Sequence, residues 1–234
     1  MNSLPVMLKV AGKLCVVVGS GAVAGRRVAV LKACGARIRV IAPDADKLNV
    51  DGIEVVPRPF RAGDLRGALL VTAATDDRMV NDAIAEEAAR EGVLINRADD
   101  ASAGDITIPA HSHHGPITLA VSTGGVSPSA GATIHRQLNA ALDPAWSRLL
   151  ELVAPYRATI RNQCTDADQR QTLLLQLTDD DMLRLFKSEG QAAVRARVES
   201  LASFSPGNTQ PAAPQGNVCG MRHESSAAEV KETH

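Results

Sequence analysis

Aromatic side chains are almost absent from this sequence. One Trp, one Tyr and three Phe make up only 2% of its 234 residues, whereas hydrophobic residues as a whole make up 45%. A buried core must therefore be built from Val, Leu, Ile and Ala. At this length the chain can bury a substantial core, in one large domain or in two small ones.

An excess of either charge is also missing. Twenty-five Lys and Arg oppose 26 Asp and Glu, for a net charge of −1, so nothing indicates the basic surface of a nucleic-acid-binding protein. No apolar run approaches the roughly 20 residues of a membrane span, and the N-terminus lacks a signal-peptide pattern. The cysteines are few and show no C-x-x-C spacing, so we expect reduced thiols in a cytoplasmic protein; they are Cys15, Cys34, Cys164 and Cys219.

Glycine and β-branched residues are concentrated near the N-terminus, in Lys13–Asp44. Leu14–Val18 is an apolar run of strand length, and Gly19-Ser20-Gly21 follows it at once. The spacing predicts a helix over Ala22–Cys34 and a second strand over Arg37–Ile41. A strand, glycine turn, helix and strand in this order are typical of a dinucleotide-binding unit.

The glycine turn suits a phosphate because a helix N-terminus offers backbone N–H groups and the positive end of the helix dipole. We predict that Gly19, Gly21, Ala22 and Val23 hold the pyrophosphate of the cofactor. Pro43 and Asp44 follow the second strand, where an acidic residue binds an adenine ribose, and this mildly favours NAD over NADP. The alternatives are a tight turn without a ligand and an Asp44 that only caps a turn.

Further strands and helices alternate along the chain. Strands are predicted at Ile53–Val56, Leu69–Ala74 and Val93–Asn96, and helices within Asp64–Leu70 and over Met79–Ala89. Such alternation predicts a mainly parallel sheet covered on both faces. Ligands of these sheets bind beyond the carboxyl ends of the strands. One crevice there could collect four segments, namely Gly19–Val23, Pro43-Asp44, Thr75-Asp76 and Arg97–Asp99.

The pattern changes after Asp99. Asp105–Ala110 and Pro116–Ser122 alternate as strands and predict a hairpin with His111–Gly115 as its connection. A helix over Ser129–Leu142 follows, with Pro128 suited to its first position. Amphipathic segments then predict helices at Trp146–Ile160, Ala167–Leu177, Asp180–Phe186 and Gln191–Leu201. From Ser205 the chain has too little apolar content to pack, so we predict a disordered tail.

These motifs together carry a family resemblance. They are VVGSGAVAGRRVAVLKACGARIRVIAP, then AATDD at Ala73–Asp77 with Asn81 after it, then Asn96-Arg97-Ala98-Asp99, and finally VSTGGVSP at Val121–Pro128. In this order they resemble the siroheme synthase N-terminal module, that is, precorrin-2 dehydrogenase with or without sirohydrochlorin ferrochelatase activity. The resemblance covers residues 1–145 well and residues up to about 200 in outline only.

The resemblance implies NAD-dependent oxidation of precorrin-2, a tetrapyrrole, to sirohydrochlorin in siroheme biosynthesis. It also implies a possible second, lyase activity that inserts Fe²⁺ as a substrate, and a homodimer whose active site lies between the nucleotide domain and the dimer region. The expected fold is α/β: a Rossmann-type parallel sheet, a small α+β dimerisation region and a C-terminal helical domain. We place these at residues 1–112, 113–145 and 146–204, with the disordered tail at 205–234.

Asp99 occupies the position of the family's catalytic aspartate. A carboxylate is a weak base at neutral pH, and we expect burial in a cleft to raise the pKa of Asp99 and strengthen it as a base. The alternative is that Asp99 caps a loop and that Asp100 or Asp105 acts instead. Thr123, Gly124 and Gly125 could offer backbone N–H groups to a substrate carboxylate, or could simply form a tight turn.

Three histidines, His111, His113 and His114, suggest a metal site. Adjacent side chains of a strand point to opposite faces, so we favour a solvated hairpin turn and leave the metal ligands unknown.

Two other functions remain open, an NAD-linked dehydrogenase for another small substrate and a regulatory nucleotide-sensing domain. Four arginines could pair with substrate carboxylates or be ordinary surface residues: Arg26, Arg27, Arg97 and Arg136.

Overall fold

Five parallel strands form the central sheet. They are β1 (Leu14–Val18), β2 (Arg37–Ile41), β3 (Glu54–Val56), β4 (Leu70–Ala73) and β5 (Leu94–Arg97), in the order β3-β2-β1-β4-β5. This is the expected Rossmann-type sheet. The computed structural model describes residues 3–48 and 50–202, so the tail predicted at 205–234 lies outside the described residues.

The two faces of the sheet are covered by different helices. Along β1, Cys15 and Val17 join one buried cluster and Val16 and Val18 join the other, as expected for a strand whose side chains alternate. Helix α1 (Ala22–Ala33) contributes Ala24, Val28 and Leu31 to the first cluster, and α2 (Arg78–Glu91) contributes Ile84 and Ala88 to the second.

The direction of chain progression reverses between β1 and β4. Val18 at the end of β1 pairs with Ile41 of β2 on one side and with Ala73 of β4 on the other. The connections after β1 and β4 therefore leave toward opposite faces of the sheet. A crevice at the carboxyl ends of the strands is expected at such a reversal point.

The helix predicted within Asp64–Leu70 is wrong, because this segment forms turns before β4. Gly63 and Gly67 have φ angles of +94° and +74°, which a right-handed helix does not allow. The segment is instead fixed by Glu87 of α2, whose carboxylate accepts hydrogen bonds from the N–H groups of Gly63 at 2.9 Å and Leu65 at 3.0 Å.

The hairpin is present but its first strand is displaced from the prediction. The strands are β6 (Ala110–His114) and β7 (Ile117–Val121), so Asp105–Pro109 is not a strand and His111–His114 is not the connection. Asp105 and Ile106 instead lie beside β5. Ile95 donates its N–H to the Asp105 carboxylate at 3.1 Å and accepts a hydrogen bond from the Ile106 N–H, also at 3.1 Å.

Helix α3 (Pro128–Ala141) packs on this hairpin. It begins as predicted, since the Ser127 hydroxyl accepts a hydrogen bond from the Ala130 N–H at 3.2 Å and Pro128 is in the first turn. The predicted boundary between residues 112 and 113 falls inside β6. The division of the chain into domains stays a prediction.

Three further helices form the C-terminal part: α4 (Ala145–Gln163), α5 (Ala167–Gln176) and α6 (Asp180–Ala202). They share a buried aliphatic cluster that includes Leu149, Ile160 and Val194. Helix α6 is interrupted at Gly190, where φ is +82°, and this break separates the two helices predicted there. None of the helices in the described ranges is long and apolar enough to cross a membrane.

Candidate active site

A cleft of about 440 Å³ opens where β4 and β5 end. Four residues predicted for the site line it: Val23, Thr75, Asp76 and Asp99. Val23, in the first turn of α1, is half-buried and contributes to the cleft wall. The other lining residues are Ala74, Arg78, Asn81, Ala98 and Asp100. Sequence reasoning had proposed neither Arg78 nor Asn81 for the site.

The glycine turn adjoins the cleft at the end of β1. Gly19 has a φ of +118°, and a Cβ at this position would lie 2.3 Å from the Ala74 carbonyl oxygen. Gly19 is therefore needed for the close approach of β1 and β4, whereas the sequence had suggested only an approach to a ligand. At Gly21 a Cβ would meet no described atom within 4 Å.

The start of α1 fits a dinucleotide. Gly21 is the N-cap, and its first-turn residues Ala22, Val23, Ala24 and Gly25 carry no polar side chain. The first backbone N–H groups of a helix have no acceptor within the helix. At the start of α1 they can therefore donate hydrogen bonds to a phosphate. The open space at Gly21 leaves room for that phosphate.

Asp44 lies beside the same turn. Its carboxylate accepts a hydrogen bond from the Ser20 hydroxyl at 2.5 Å, so the loop after β2 is tied to the loop after β1. Asp44 is half-buried and Pro43 is exposed. Neither lines the cleft itself, and both lie on the side of the glycine turn, where an adenine ribose would be expected.

Asn81 anchors the loop that follows β4. Its buried side-chain amide donates to the Thr75 carbonyl at 3.0 Å, and its amide oxygen accepts from the Thr75 hydroxyl at 2.7 Å. Helix α2 begins just before it, where the Asp77 carboxylate caps the N–H groups of Met79 and Val80. Asn81 therefore sets the position of Thr75 and Asp76 in the cleft wall.

We expect Asn81→Ala to weaken both the fold and cofactor binding. Removing a buried hydrogen-bonding partner costs about 1–3 kcal/mol of unfolding free energy, and a looser Thr75 loop should raise the KM for NAD⁺. Urea unfolding and steady-state kinetics measure the two effects. Asn162→Ala, an exposed position on α4, is the control and should change stability by less than about 0.5 kcal/mol. Equal effects of the two variants would contradict this role of Asn81.

Asp99 is held by an arginine two residues before it. Arg97 donates from Nε to one Asp99 carboxylate oxygen at 3.1 Å and from Nη2 to the other at 2.7 Å. These hydrogen bonds, with a smaller contribution from the Asn81 side chain, lower the pKa of Asp99 from its ordinary value of 3.8 to about 2, although desolvation acts in the opposite direction. The expected rise in the pKa of Asp99 is therefore wrong, because Asp99 stays exposed in the cleft and its pairing with Arg97 outweighs the remaining desolvation.

The four arginines proposed for substrate carboxylates do not line the cleft. The Arg97 side chain is only 5% exposed and is engaged with Asp99 and Asp82, and Arg136 donates to Thr133 on α3. Among the described residues that line the cleft, Arg78 is the single cation. It stands at the start of α2 and is exposed.

Thr123, Gly124 and Gly125 form a turn between β7 and α3. The Thr123 hydroxyl donates to the Ser127 carbonyl at 3.0 Å and accepts from the Ser127 N–H at 3.2 Å. Gly124 and Gly125 have φ angles of +64° and +86°. None of the three is among the cleft-lining residues of this chain, so their proposed contact with substrate stays a prediction.

The histidines lie on β6 and face in two directions. His113 pairs with the Thr118 hydroxyl on β7 at 3.1 Å, whereas His114 contacts the Asn139 amide oxygen on α3 at 2.6 Å. The expectation of opposite faces is therefore confirmed, and that of a solvated turn is wrong. Within residues 3–48 and 50–202, no three His, Cys, Asp or Glu side chains are grouped in a way that could hold a metal ion.

Comparisons with known proteins agree with this architecture. A family model described as "Putative NAD(P)-binding" matches residues 6–110. Siroheme synthase of Nitrosococcus oceani is 32% identical over 211 residues, which cover 85% of this chain and 44% of that protein. Siroheme synthase of Chromobacterium violaceum is 31% identical over 204 residues, which cover 85% and 43%. The chain therefore spans less than half the length of these relatives.

A solved structure extends the comparison to the fold. SirC, precorrin-2 dehydrogenase, has a TM-score of 0.69 and 28% sequence identity to this chain, and the match covers 85% of this chain and 100% of that one. The match includes the nucleotide-binding sheet and continues beyond it, since residues 6–110 alone are less than half of the chain. Over 85% of its length this chain is therefore similar to siroheme synthases and to a precorrin-2 dehydrogenase.

Proposed function

We propose that this chain is an NAD⁺-dependent precorrin-2 dehydrogenase, which oxidises precorrin-2 to sirohydrochlorin in siroheme biosynthesis. The observation that carries the proposal is the cleft at the ends of β4 and β5, where Asp99 lies beside the nucleotide-binding elements. The match to the full length of SirC, a precorrin-2 dehydrogenase, supports the same reaction.

The reaction removes two hydrogen atoms from the macrocycle, one as a hydride and one as a proton that passes to water. The bound dinucleotide supplies the hydride acceptor. Asp99 carries a full negative charge at neutral pH, since its pKa is about 2. It can therefore accept a hydrogen bond from a substrate N–H and stabilise the positive charge that develops on the macrocycle as the hydride leaves.

The other cleft residues bind and orient. The first-turn N–H groups of α1 hold the pyrophosphate, and Asn81 fixes the Thr75–Asp76 loop. Arg78 is the cleft's cation and is available to pair with a substrate carboxylate. Apart from Arg78, the charged residues of the cleft are acidic, namely Asp76, Asp99 and Asp100.

The decisive test is NADH formation by the purified protein from precorrin-2 and NAD⁺. We expect NADH and sirohydrochlorin to form in equal amounts. A protein that binds NAD⁺ but forms no NADH with precorrin-2 would contradict the proposal and favour the nucleotide-sensing alternative. Turnover of a different small substrate would favour the other alternative, an NAD-linked dehydrogenase for another small substrate.

Insertion of Fe²⁺ into sirohydrochlorin is a second candidate activity, favoured by the siroheme synthases among the relatives. The ionised Asp99 would then accept hydrogen bonds from pyrrole N–H groups, whose protons pass to water as the metal enters. Incubation of the protein with sirohydrochlorin and Fe²⁺ or Co²⁺, without NAD⁺, tests this by the absorption spectrum. An unchanged rate relative to the protein-free reaction would leave the dehydrogenase activity alone.

We also propose that the chain works in the cytoplasm as a homodimer through the hairpin and α3. Three apolar side chains on and before α3 are exposed in the single chain: Ile134 by 42%, Leu138 by 47% and Val126 by 89%. In a dimer, the Thr123–Gly125 turn could reach the partner's cleft and contact substrate. Sedimentation of the native chain and of an Ile134→Glu, Leu138→Glu variant tests the dimer, which the variant should dissociate.

We expect Asp44→Asn to reduce the preference for NAD⁺ over NADP⁺. Hydrogen bonds to a charged group are worth about 1.5–3 kcal/mol, so the KM for NAD⁺ should rise about 10- to 100-fold, and the KM for NADP⁺ should change less. Asp46→Asn, a nearby exposed carboxylate, is the control. If both variants keep the native KM for NAD⁺, Asp44 does not contact the ribose.

A further inference from the structure

We propose that Arg97 is a positioning residue that fixes the Asp99 carboxylate in the cleft, and that Asp82 on α2 in turn holds Arg97. The structural part of this inference stands on the geometry of the three side chains. Its consequence for catalysis rests on the proposed function, in which Asp99 meets the substrate.

The contact between Arg97 and Asp99 is bidentate. Nε and Nη2 donate to the two carboxylate oxygens at 3.1 and 2.7 Å, which is the planar pairing that guanidinium groups favour. Such a pair fixes the orientation of the carboxylate as well as its position. A lysine ammonium, which cannot form this planar bidentate pair, would fix the position of the carboxylate but not its orientation.

Arg97 is itself held on its other side. Its Nη1 donates to the Asp82 carboxylate at 2.5 Å. Arg97 is part of β5 and pairs with Ala73 of β4, so its backbone belongs to the rigid sheet. The Asp82 contact links that sheet to α2, which also carries Asn81. Helix α2 thus positions two parts of the cleft wall. Its Asn81 holds Thr75, and its Asp82 holds Arg97, which in turn holds Asp99.

This arrangement explains why Arg97 is not a substrate-binding residue. With 5% of its side chain exposed and three hydrogen bonds to two carboxylates, it has little surface to offer a ligand. Arg97 instead neutralises the negative charge of Asp99. The charged and titratable groups around Asp99 come from three segments: Arg97 on β5, Asp100 on the following loop, and Asp76, Arg78 and Asp82 around the start of α2.

The inference predicts that Asp99 stays ionised to a lower pH than an ordinary aspartate, whose pKa is 3.8. The positive charge of a neighbouring arginine lowers the pKa of a carboxyl group by about one to three units. Without the guanidinium, the midpoint of Asp99 should rise by a similar amount, since three other carboxylates surround it. The acid side of the kcat profile should then move to higher pH by the same amount.

The experiment is a ¹³C NMR titration of the aspartate carboxyl groups in the full chain, with Asp99 assigned by the signal lost in Asp99→Asn. In the native protein Asp99 should titrate below 3.8, its ordinary value. In Arg97→Gln its midpoint should rise by about one to three pH units, and in Arg97→Lys by less. Arg90→Gln removes an exposed guanidinium from the far end of α2 and should cause no shift.

Kinetics provide the second measurement. The acid limb of kcat should follow the NMR midpoint in each variant, while the KM for NAD⁺ stays near its native value. A purely structural role of Arg97 would lower stability and leave both the midpoint and the acid limb unchanged, and that result would overturn the proposal.

The outcome does not depend on a stable Arg97→Gln variant. A native Asp99 midpoint at or above its ordinary value would overturn the proposal by itself, as would an Arg97→Lys variant with the native midpoint. If the native protein formed no NADH from precorrin-2, the proposed function would fail. The NMR titration would still decide whether Arg97 fixes the Asp99 carboxylate.

Discussion

Asp99→Asn is expected to lower kcat for precorrin-2 oxidation by about 10²–10³-fold, the usual effect of removing one group that stabilises developing charge. The substitution keeps the shape of the side chain and removes its negative charge. Arg97 retains its hydrogen bond to Asp82, so the variant should fold and bind NAD⁺ as before. Steady-state NADH formation gives kcat, and calorimetric titration gives the affinity for NAD⁺.

Asp100→Asn is the matched control, since Asp100 also lines the cleft. Its carboxylate accepts hydrogen bonds from the N–H and the hydroxyl of Ser102 at 2.9 and 2.6 Å, and these hydrogen bonds lower its pKa. Asp100 therefore caps the short 3₁₀ turn that follows, and its loss should cost about 1 kcal/mol of stability with little effect on kcat. The reverse order of effects would make Asp100 the acting carboxylate.

The nucleotide-binding half could be predicted closely because its signals are local. β1 and β2 have the predicted bounds, since each is an apolar run between turn residues. The parallel order follows from the alternation of strands and helices. The crevice follows from that order, so the sequence alone predicts that Val23, Thr75, Asp76 and Asp99 lie close together.

The errors occur where contacts distant in sequence override local preference. The Asp64–Leu70 segment has helical composition, but the N–H groups of Gly63 just before it and of Leu65 within it donate to Glu87, more than twenty positions away. Asp105–Pro109 alternates like a strand, yet the Asp105 carboxylate accepts a hydrogen bond from the Ile95 N–H of β5. No spacing rule gives either partner, because both depend on how the finished sheet packs.

The pKa of Asp99 could not be predicted for the same reason. Desolvation alone would have raised it, as the sequence suggested. The opposite direction follows from Arg97, which the motif contains but for which the sequence suggested either a partner of substrate carboxylates or an ordinary surface residue. Its orientation toward Asp99 depends on Asp82, fifteen residues earlier on another element. The identity of the catalytic candidate was therefore accessible from the motif, whereas its electrostatic state required the fold.

The glycine turn gives the second large effect. Gly19→Ala should lower the free energy of unfolding by about 3 kcal/mol or more. The added Cβ would lie 2.3 Å from the Ala74 carbonyl oxygen, and the φ of +118° is unfavourable for any residue with a side chain. Because Ala74 directly follows β4, the clash can be relieved only by separating the end of β1 from the end of β4. Urea unfolding measures the loss, and NAD⁺ binding should disappear with it.

Gly21→Ala separates the stability of the turn from its affinity for the cofactor. Gly21 has a φ of −71°, which alanine adopts freely, and its Cβ would meet no described atom within 4 Å. Stability should therefore change by less than about 1 kcal/mol. The same Cβ would occupy the space assigned to the pyrophosphate, so affinity for NAD⁺ should fall at least about tenfold, a difference of about 1.4 kcal/mol. Native affinity in Gly21→Ala would place the pyrophosphate elsewhere, because only a ligand makes this open position intolerant of a methyl group.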